Sequence, residues 1–218
     1  MRRYLIPARE ARAEIRVKNS RFIATLAPAF SVEEARAFIE HIKEEFSDAT
    51  HNVPAFLVGH GNSVTAHSND DGEPAGTAGR PVLAVLQGSG LGDAALVVTR
   101  YFGGAKLGTG GLVRAYGDAA RAVLEIAPRA EKVTTHTVMV AVPYALFEQM
   151  RLLVAAHKGQ ILDETFAADV TVTARFAVER LPAFQAGLQE LTNGAVEAHI
   201  VESSEETIMP LDGVPNGE

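Results

Sequence analysis

After Pro128 the hydropathy pattern of this 218-residue chain starts over, and that restart limits the fold more than any other feature. Leu112 to Ile126 carries Leu112, Tyr116, Ala119, Ala120, Val123 and Leu124 at helical spacing. Beyond Pro128-Arg129-Ala130, residues Val133, Thr135, Thr137, Met139 and Ala141 alternate as on a half-buried strand. The spacing predicts two units, 1–128 and 129–209, with 210–218 as a loose tail. In the second unit it predicts a strand to Val142, a helix from about Ala145 to His157 and strands near Gln160–Ala167 and Val170–Ala177. A helix near Pro182–Asn193 and a strand over Ala195–Glu202 follow. The order β-α-β-β-α-β is that of the ferredoxin-like fold, and the fold class is α+β.

The first unit is less regular. Glu14 to Ala27 reads as one strand, and Ser31 with Glu34 three residues on reads as a helix N-terminus. Val32, Ala35, Phe38, Ile39, Ile42 and Phe46 form the stripe of that helix. Asn52–Gly59 and Asn62–Ser68 read as a hairpin around Gly61-Asn62. Val82–Gln87 suits a short helix entered through Pro81, and Ala94–Thr99 is a continuous apolar run of the kind buried on both faces.

Composition narrows the chemistry. The chain has no cysteine, which removes thiol nucleophiles, disulfides and cysteine-bound metals, and 47% hydrophobic residues suffice for a core. No apolar run approaches the roughly 20 residues of a membrane span, and the first ten residues lack the apolar segment of a secretory signal, so a cytoplasmic protein without membrane partners is expected. Lys and Arg match Asp and Glu at 14 each through Pro128, against 6 and 13 after it, so the net charge of −7 lies in the second unit. A polyphosphate partner would be repelled by the second unit and tolerated on the first.

Two glycine-rich stretches hold the candidate chemistry. In the first, Ser68 to Pro81, a two-residue turn at Gly61-Asn62 sets a register in which Val53 meets Asp70, Asn52 meets Asp71 and His67 faces Phe56. His51, Asn52, Asp70, Asp71 and Glu73 then gather at the open end of the hairpin, with Thr77 and Arg80 in the same loop. A His among carboxylates suits proton transfer, with His51, Asp71 and Glu73 as its catalytic set, or binding of a divalent cation. Asp-Gly and Glu-Pro are also turn formers whose carboxylates bond to nearby backbone, and spacing alone favours this structural role with no metal. In the second stretch, Arg100 is followed by Tyr101-Phe102, then by Gly103, Gly104, Lys106, Gly108, Thr109, Gly110 and Gly111, opening into a helix that carries Arg114. Amides at such a helix start form an anion site that Arg100, Lys106 and Arg114 would supplement, with phosphate as guest. Equally, the glycines permit close packing, with Arg100 in a structural network. No complete nucleotide-binding motif occurs, and no cofactor is expected.

Five ordered motifs carry a resemblance. Lys18-Asn-Ser-Arg-Phe-Ile23, Asp48-Ala-Thr-His-Asn52, Asp70-Asp-Gly-Glu-Pro-Ala-Gly-Thr-Ala-Gly-Arg-Pro81, Val97-Val-Thr-Arg-Tyr-Phe-Gly-Gly-Ala-Lys-Leu-Gly108 and Gly110-Gly-Leu-Val-Arg-Ala-Tyr116 together resemble the YigZ/IMPACT family. One departure is Val53-Pro54-Ala55-Phe56, where family members usually carry Cys and aromatic residues. The resemblance implies a first domain similar to the second domain of small-subunit ribosomal protein five and a ferredoxin-like second domain. Such a pair resembles domains four and five of elongation factor G. It also implies translational regulation, since eukaryotic relatives restrain the amino-acid-starvation kinase by competing for its ribosome-associated activator. Two functions follow as expectations: a non-enzymatic regulator that binds ribosome, RNA or a translation factor through the first domain, or an enzyme acting on a phosphorylated small molecule at the glycine-rich loop.

Overall fold

The computed structural model describes residues 3–61 and 63–210. They divide into two compact units, one over residues 4–131 and one over residues 132–210 together with residue 3.

The first unit is a five-stranded antiparallel sheet between helices. β1 (Tyr4–Pro7), which the periodicity does not announce, runs into Ala8, whose N–H donates to the Pro128 carbonyl at 2.8 Å. The segment read as one strand is a hairpin of β2 (Ala11–Val17) and β3 (Ser20–Pro28), turning at Lys18-Asn19 with Lys18 at φ 52°. The polar run Lys18-Asn19-Ser20-Arg21 that interrupts the alternation marks this turn. Ser31 caps α1 (Val32–Glu45) as expected: its side chain accepts the Glu34 N–H at 3.0 Å, while the Glu34 carboxylate reaches back to the Phe30 N–H.

β4 (His51–Val58) and β5 (Thr65–Ser68) pair in the predicted register, with Phe56 opposite His67 and Ala55 opposite Ser68. The ladder closes at Val58 and Thr65, so the second strand is shorter than expected; Asn62 of the predicted turn lies outside the described residues. After α2 (Gly79–Gly88), β6 (Ala94–Tyr101) runs along the middle of the sheet, whose order is β2-β3-β6-β4-β5. α3 (Thr109–Ile126) completes the unit. Leu96 and Val98 face a core that holds Val82, Leu86, Leu112 and Tyr116 from α2 and α3, whereas Ala95 and Val97 face Ile39 and Ile42 of α1. This two-sided burial is why β6 reads as an unbroken apolar run.

The second unit has the element order read from the sequence: β7 (Arg129–Val142), a 3₁₀ turn and α4 (Phe147–Ala156), β8 (Gln160–Phe166), β9 (Val170–Ala177), α5 (Leu181–Thr192) and β10 (His199–Pro210). Its strands lie in the order β8-β9-β7-β10. Val138, Val140, Val170, Val172 and Phe176 form one face, covered by Met150 and Val154 of α4 and Phe184 and Leu188 of α5. β10 begins later and runs longer than the Ala195–Glu202 strand expected, reaching Pro210; the remainder of the expected tail, 211–218, lies outside the described residues.

Candidate functional site

The hairpin register brings the predicted polar cluster to the end of the sheet, and the structure assigns each carboxylate a different task. Asp70 is wrapped by its own loop. Its Oδ2 accepts the Gly76 N–H at 2.7 Å, and its Oδ1 accepts those of Ala78 and Gly79 at 3.1 and 2.8 Å. It thereby serves the start of α2, whose N-cap position, Ala78, has no side-chain acceptor to offer. Burial alone would raise the Asp70 carboxyl, but these three amides, with the charge of Arg80 behind them, hold it below its ordinary value. Thr77 donates its hydroxyl to the Pro74 carbonyl at 2.6 Å, and Arg80 itself is exposed.

Asp71, with φ 48°, turns its carboxylate to the edge of β4, where Oδ2 accepts the Asn52 N–H at 2.7 Å. This is the pair the register predicted. The Asn52 side chain is also committed, accepting the Thr99 hydroxyl at 2.7 Å and donating to the Phe46 carbonyl at 3.2 Å. The Asp71 carbonyl lies 2.7 Å from His51 Nδ1. A carbonyl can only accept, so Nδ1 carries the proton and Nε2 is the variable nitrogen of that ring. Nε2 sits 3.9 Å from Glu73 Oε1.

Glu73 is buried, and its Oε1 joins three elements: it accepts from Arg100 Nη1 on β6 and from the Tyr116 hydroxyl on α3 at 2.8 Å. Burial, reinforced by the negative Glu73, drives the Tyr116 phenol far above its usual range, so its O–H stays a donor. Arg100 is only 5% exposed, with its guanidinium 5.5 Å from the Phe22 ring and 5.4 Å from the Phe102 ring. Its Nη2 lies 3.4 Å from Ser20 Oγ, while Nε has no hydrogen-bond partner among the described residues. Of the two roles expected of Arg100, a supplement to an anion site or a member of a structural network, the second is the one its bonds describe: it pairs with a buried carboxylate, and removing either partner would strand a charge.

The glycine-rich stretch after Arg100 serves two needs. At Gly103 a Cβ would lie 1.9 Å from the Asn19 carbonyl oxygen, so the chain passes the tip of the β2–β3 hairpin with no room for a side chain. The Gly103 N–H donates to Ser20 Oγ at 3.2 Å. Gly108 stands at the N-cap of α3 with φ 75°, a conformation that favours glycine, and no side chain caps the helix. The first intrahelical bond is Leu112 N–H to the Gly108 carbonyl, which leaves the amides of Thr109, Gly110 and Gly111 without intrahelical acceptors.

This helix start opens on a cleft of about 410 Å³. Arg100, Lys106, Gly108 and Thr109 of the second stretch line it, beside His51 and Glu73 of the first cluster and the apolar surfaces of Pro74, Phe102, Leu107 and Leu112, with Thr50 at its side. Gly103, Gly104, Gly110, Gly111 and Arg114 are not among its lining residues. Lys106 is exposed, and its carbonyl accepts Lys18 Nζ at 3.3 Å. Among the described residues no three His, Asp or Glu side chains are grouped to hold a metal ion. Sequence reasoning placed Tyr116 only on the apolar face of α3 and gave no site role to Ser20, Thr50, Pro74, Phe102 or Leu107. A tyrosine in an otherwise aliphatic stripe was the one available signal, because a buried phenol needs a partner.

Comparison with known proteins adds to this geometry. Residues 18–124 match the family described as the Impact N-terminal domain, and residues 140–195 match a domain of unknown function, DUF1949. The chain is 36% identical to the Escherichia coli K12 protein named IMPACT family member YigZ, over 93% of this chain and all of that one. A solved structure described as that of a hypothetical protein, 35% identical, superposes with a TM-score of 0.61 over 93% of this chain and 98% of its own. Another, described as the two-domain translational regulator Yih1, is 24% identical over 56% of this chain and 47% of that one, with a TM-score of 0.35, too low to carry structural or functional weight.

Proposed function

The chain belongs to the IMPACT family, and from that premise we propose that it is a non-enzymatic, translation-associated regulator that binds ribosome, RNA or a translation factor through its N-terminal domain. One observation carries the non-enzymatic part: Asp70, Asp71 and Glu73, the carboxylates best placed for proton transfer, each hold a structural partner. A catalytic carboxylate must change its hydrogen bonding during turnover, and here such a change would undo the start of α2, the edge of β4 or the Arg100 pair. The open start of α3, with exposed Lys106 beside it, is the surface that remains for contact.

The division into domains 1–128 and 129–209, the analogy to domains four and five of elongation factor G and a cytoplasmic location belong to the same proposal. Among the described residues no helix is long and apolar enough to cross a membrane. The acidic balance of residues 129–218 supports placing phosphate-rich partners on the first domain.

Sedimentation with ribosomes at graded salt tests the reading. The protein is expected in the pellet at low salt and released as salt rises, with Lys106→Ala released earlier. The competing enzyme reading predicts turnover of a phosphorylated metabolite that disappears in His51→Ala while the fold and ligand affinity persist. That result, together with no association with ribosomes or translation factors at any salt, overturns the proposal.

A further inference from the structure

The cleft at the start of α3 combines features that a purely structural loop does not require. Phe102 is 46% exposed on the wall of the cleft, and its ring is backed by the Arg100 guanidinium at 5.4 Å. Glu73 and Ser20 hold that guanidinium in place, so the ring lies against a fixed, carboxylate-paired arginine. Arg100 lines the cleft, is more than nine-tenths buried and keeps Nε unpartnered. The uncapped amides of α3 and the exposed Lys106 supply positive potential beside the ring.

We propose, resting on the translation-associated reading above, that this cleft docks one nucleotide of single-stranded RNA, with the base stacked on Phe102 and the phosphate held at the start of α3. An aromatic face beside a cationic, amide-rich track is the chemistry by which single strands are bound without sequence preference. The apolar walls Pro74, Leu107 and Leu112 bound the base, and the cavity volume suits one nucleotide. Lys18, whose ammonium group lies on the Lys106 carbonyl, extends the positive track beyond the cleft, as a strand requires and a free nucleotide does not.

Fluorescence anisotropy with labelled single-stranded oligoadenylate of about a dozen nucleotides tests the proposal on the full chain at low salt. Binding is expected, weakened about tenfold in Phe102→Ala and comparably in Phe102→Leu, which keeps apolar volume but loses the aromatic face; Phe102→Tyr retains it. Lys106→Ala is expected to lower the slope of log affinity against log salt by about 1. No binding by the parent protein, equal binding by Phe102→Leu, or displacement of the oligomer by AMP mole for mole overturns the assignment, the last in favour of a free nucleotide. If ribosome sedimentation persists while oligoadenylate fails, this inference alone falls and the wider reading stands.

Discussion

The two glycine-rich stretches look alike in sequence and have opposite roles in the folded unit. Residues 69–80 close on themselves: Asp70 collects three amides of its own loop, and Glu73 points inward to Arg100 and Tyr116. Residues 103–111 leave amides of a helix start uncapped on the wall of a cleft. The distinction is which partner comes with the glycines. Where carboxylates accompany them, the backbone donors are satisfied within the protein; where a lysine does, they stay available to an anion from outside.

The sharpest way to break this contrast is to remove the inward charge pair. Arg100→Ala leaves buried Glu73 without its cation and is expected to cost about 3–5 kcal/mol in urea unfolding; a loss under about 1 kcal/mol would show that the pair does not hold the loop. Asp70→Ala should cost about 2 kcal/mol through loss of the α2 cap. Its acid signature has a definite sign. Because folding depresses the Asp70 carboxyl, its contribution is complete above the ordinary carboxylate range and fades as pH falls through the folded value. Asp70→Asn should therefore flatten the acid limb of a stability-against-pH curve, and an unchanged limb would assign acid sensitivity elsewhere. Tyr116→Phe removes one bond to a charged acceptor while Arg100 still serves Glu73, with an expected loss of about 1.5 kcal/mol by the same unfolding assay. Lys106→Ala, on the outward side, should leave stability within about 0.5 kcal/mol and act only on binding.

Much of this was legible where local chemistry decides. The register of β4 and β5 followed from the position of the turn, and it correctly placed Asn52 against Asp71 and His67 against Phe56. The Ser31 cap and the order of the second unit followed from capping chemistry and from two periodicities. What escaped depends on contacts distant in sequence. Glu73, Arg100 and Tyr116 are separated by 27 and 43 residues along the pairs they form, and no spacing rule links a loop glutamate to a β6 arginine. The β2–β3 turn escaped although a local signal was present, the polar run Lys18-Asn19-Ser20-Arg21 between the two apolar stretches. The cleft was half visible: its amides follow from Gly108 to Gly111, but its aromatic wall requires knowing that Phe102 turns outward at the end of β6 while Phe22 turns in.

The bond from His51 Nδ1 to the Asp71 carbonyl has a spectroscopic consequence. In the neutral ring the lone pair must sit on Nε2, so nitrogen NMR should show a pyridine-like resonance at that atom and a protonated, exchange-protected Nδ1. The same bond ties the imidazole to the main chain of the Asp70 loop. His51 thereby becomes a built-in reporter: a substitution that loosens the loop exposes the Nδ1 proton to solvent exchange before any global unfolding is seen.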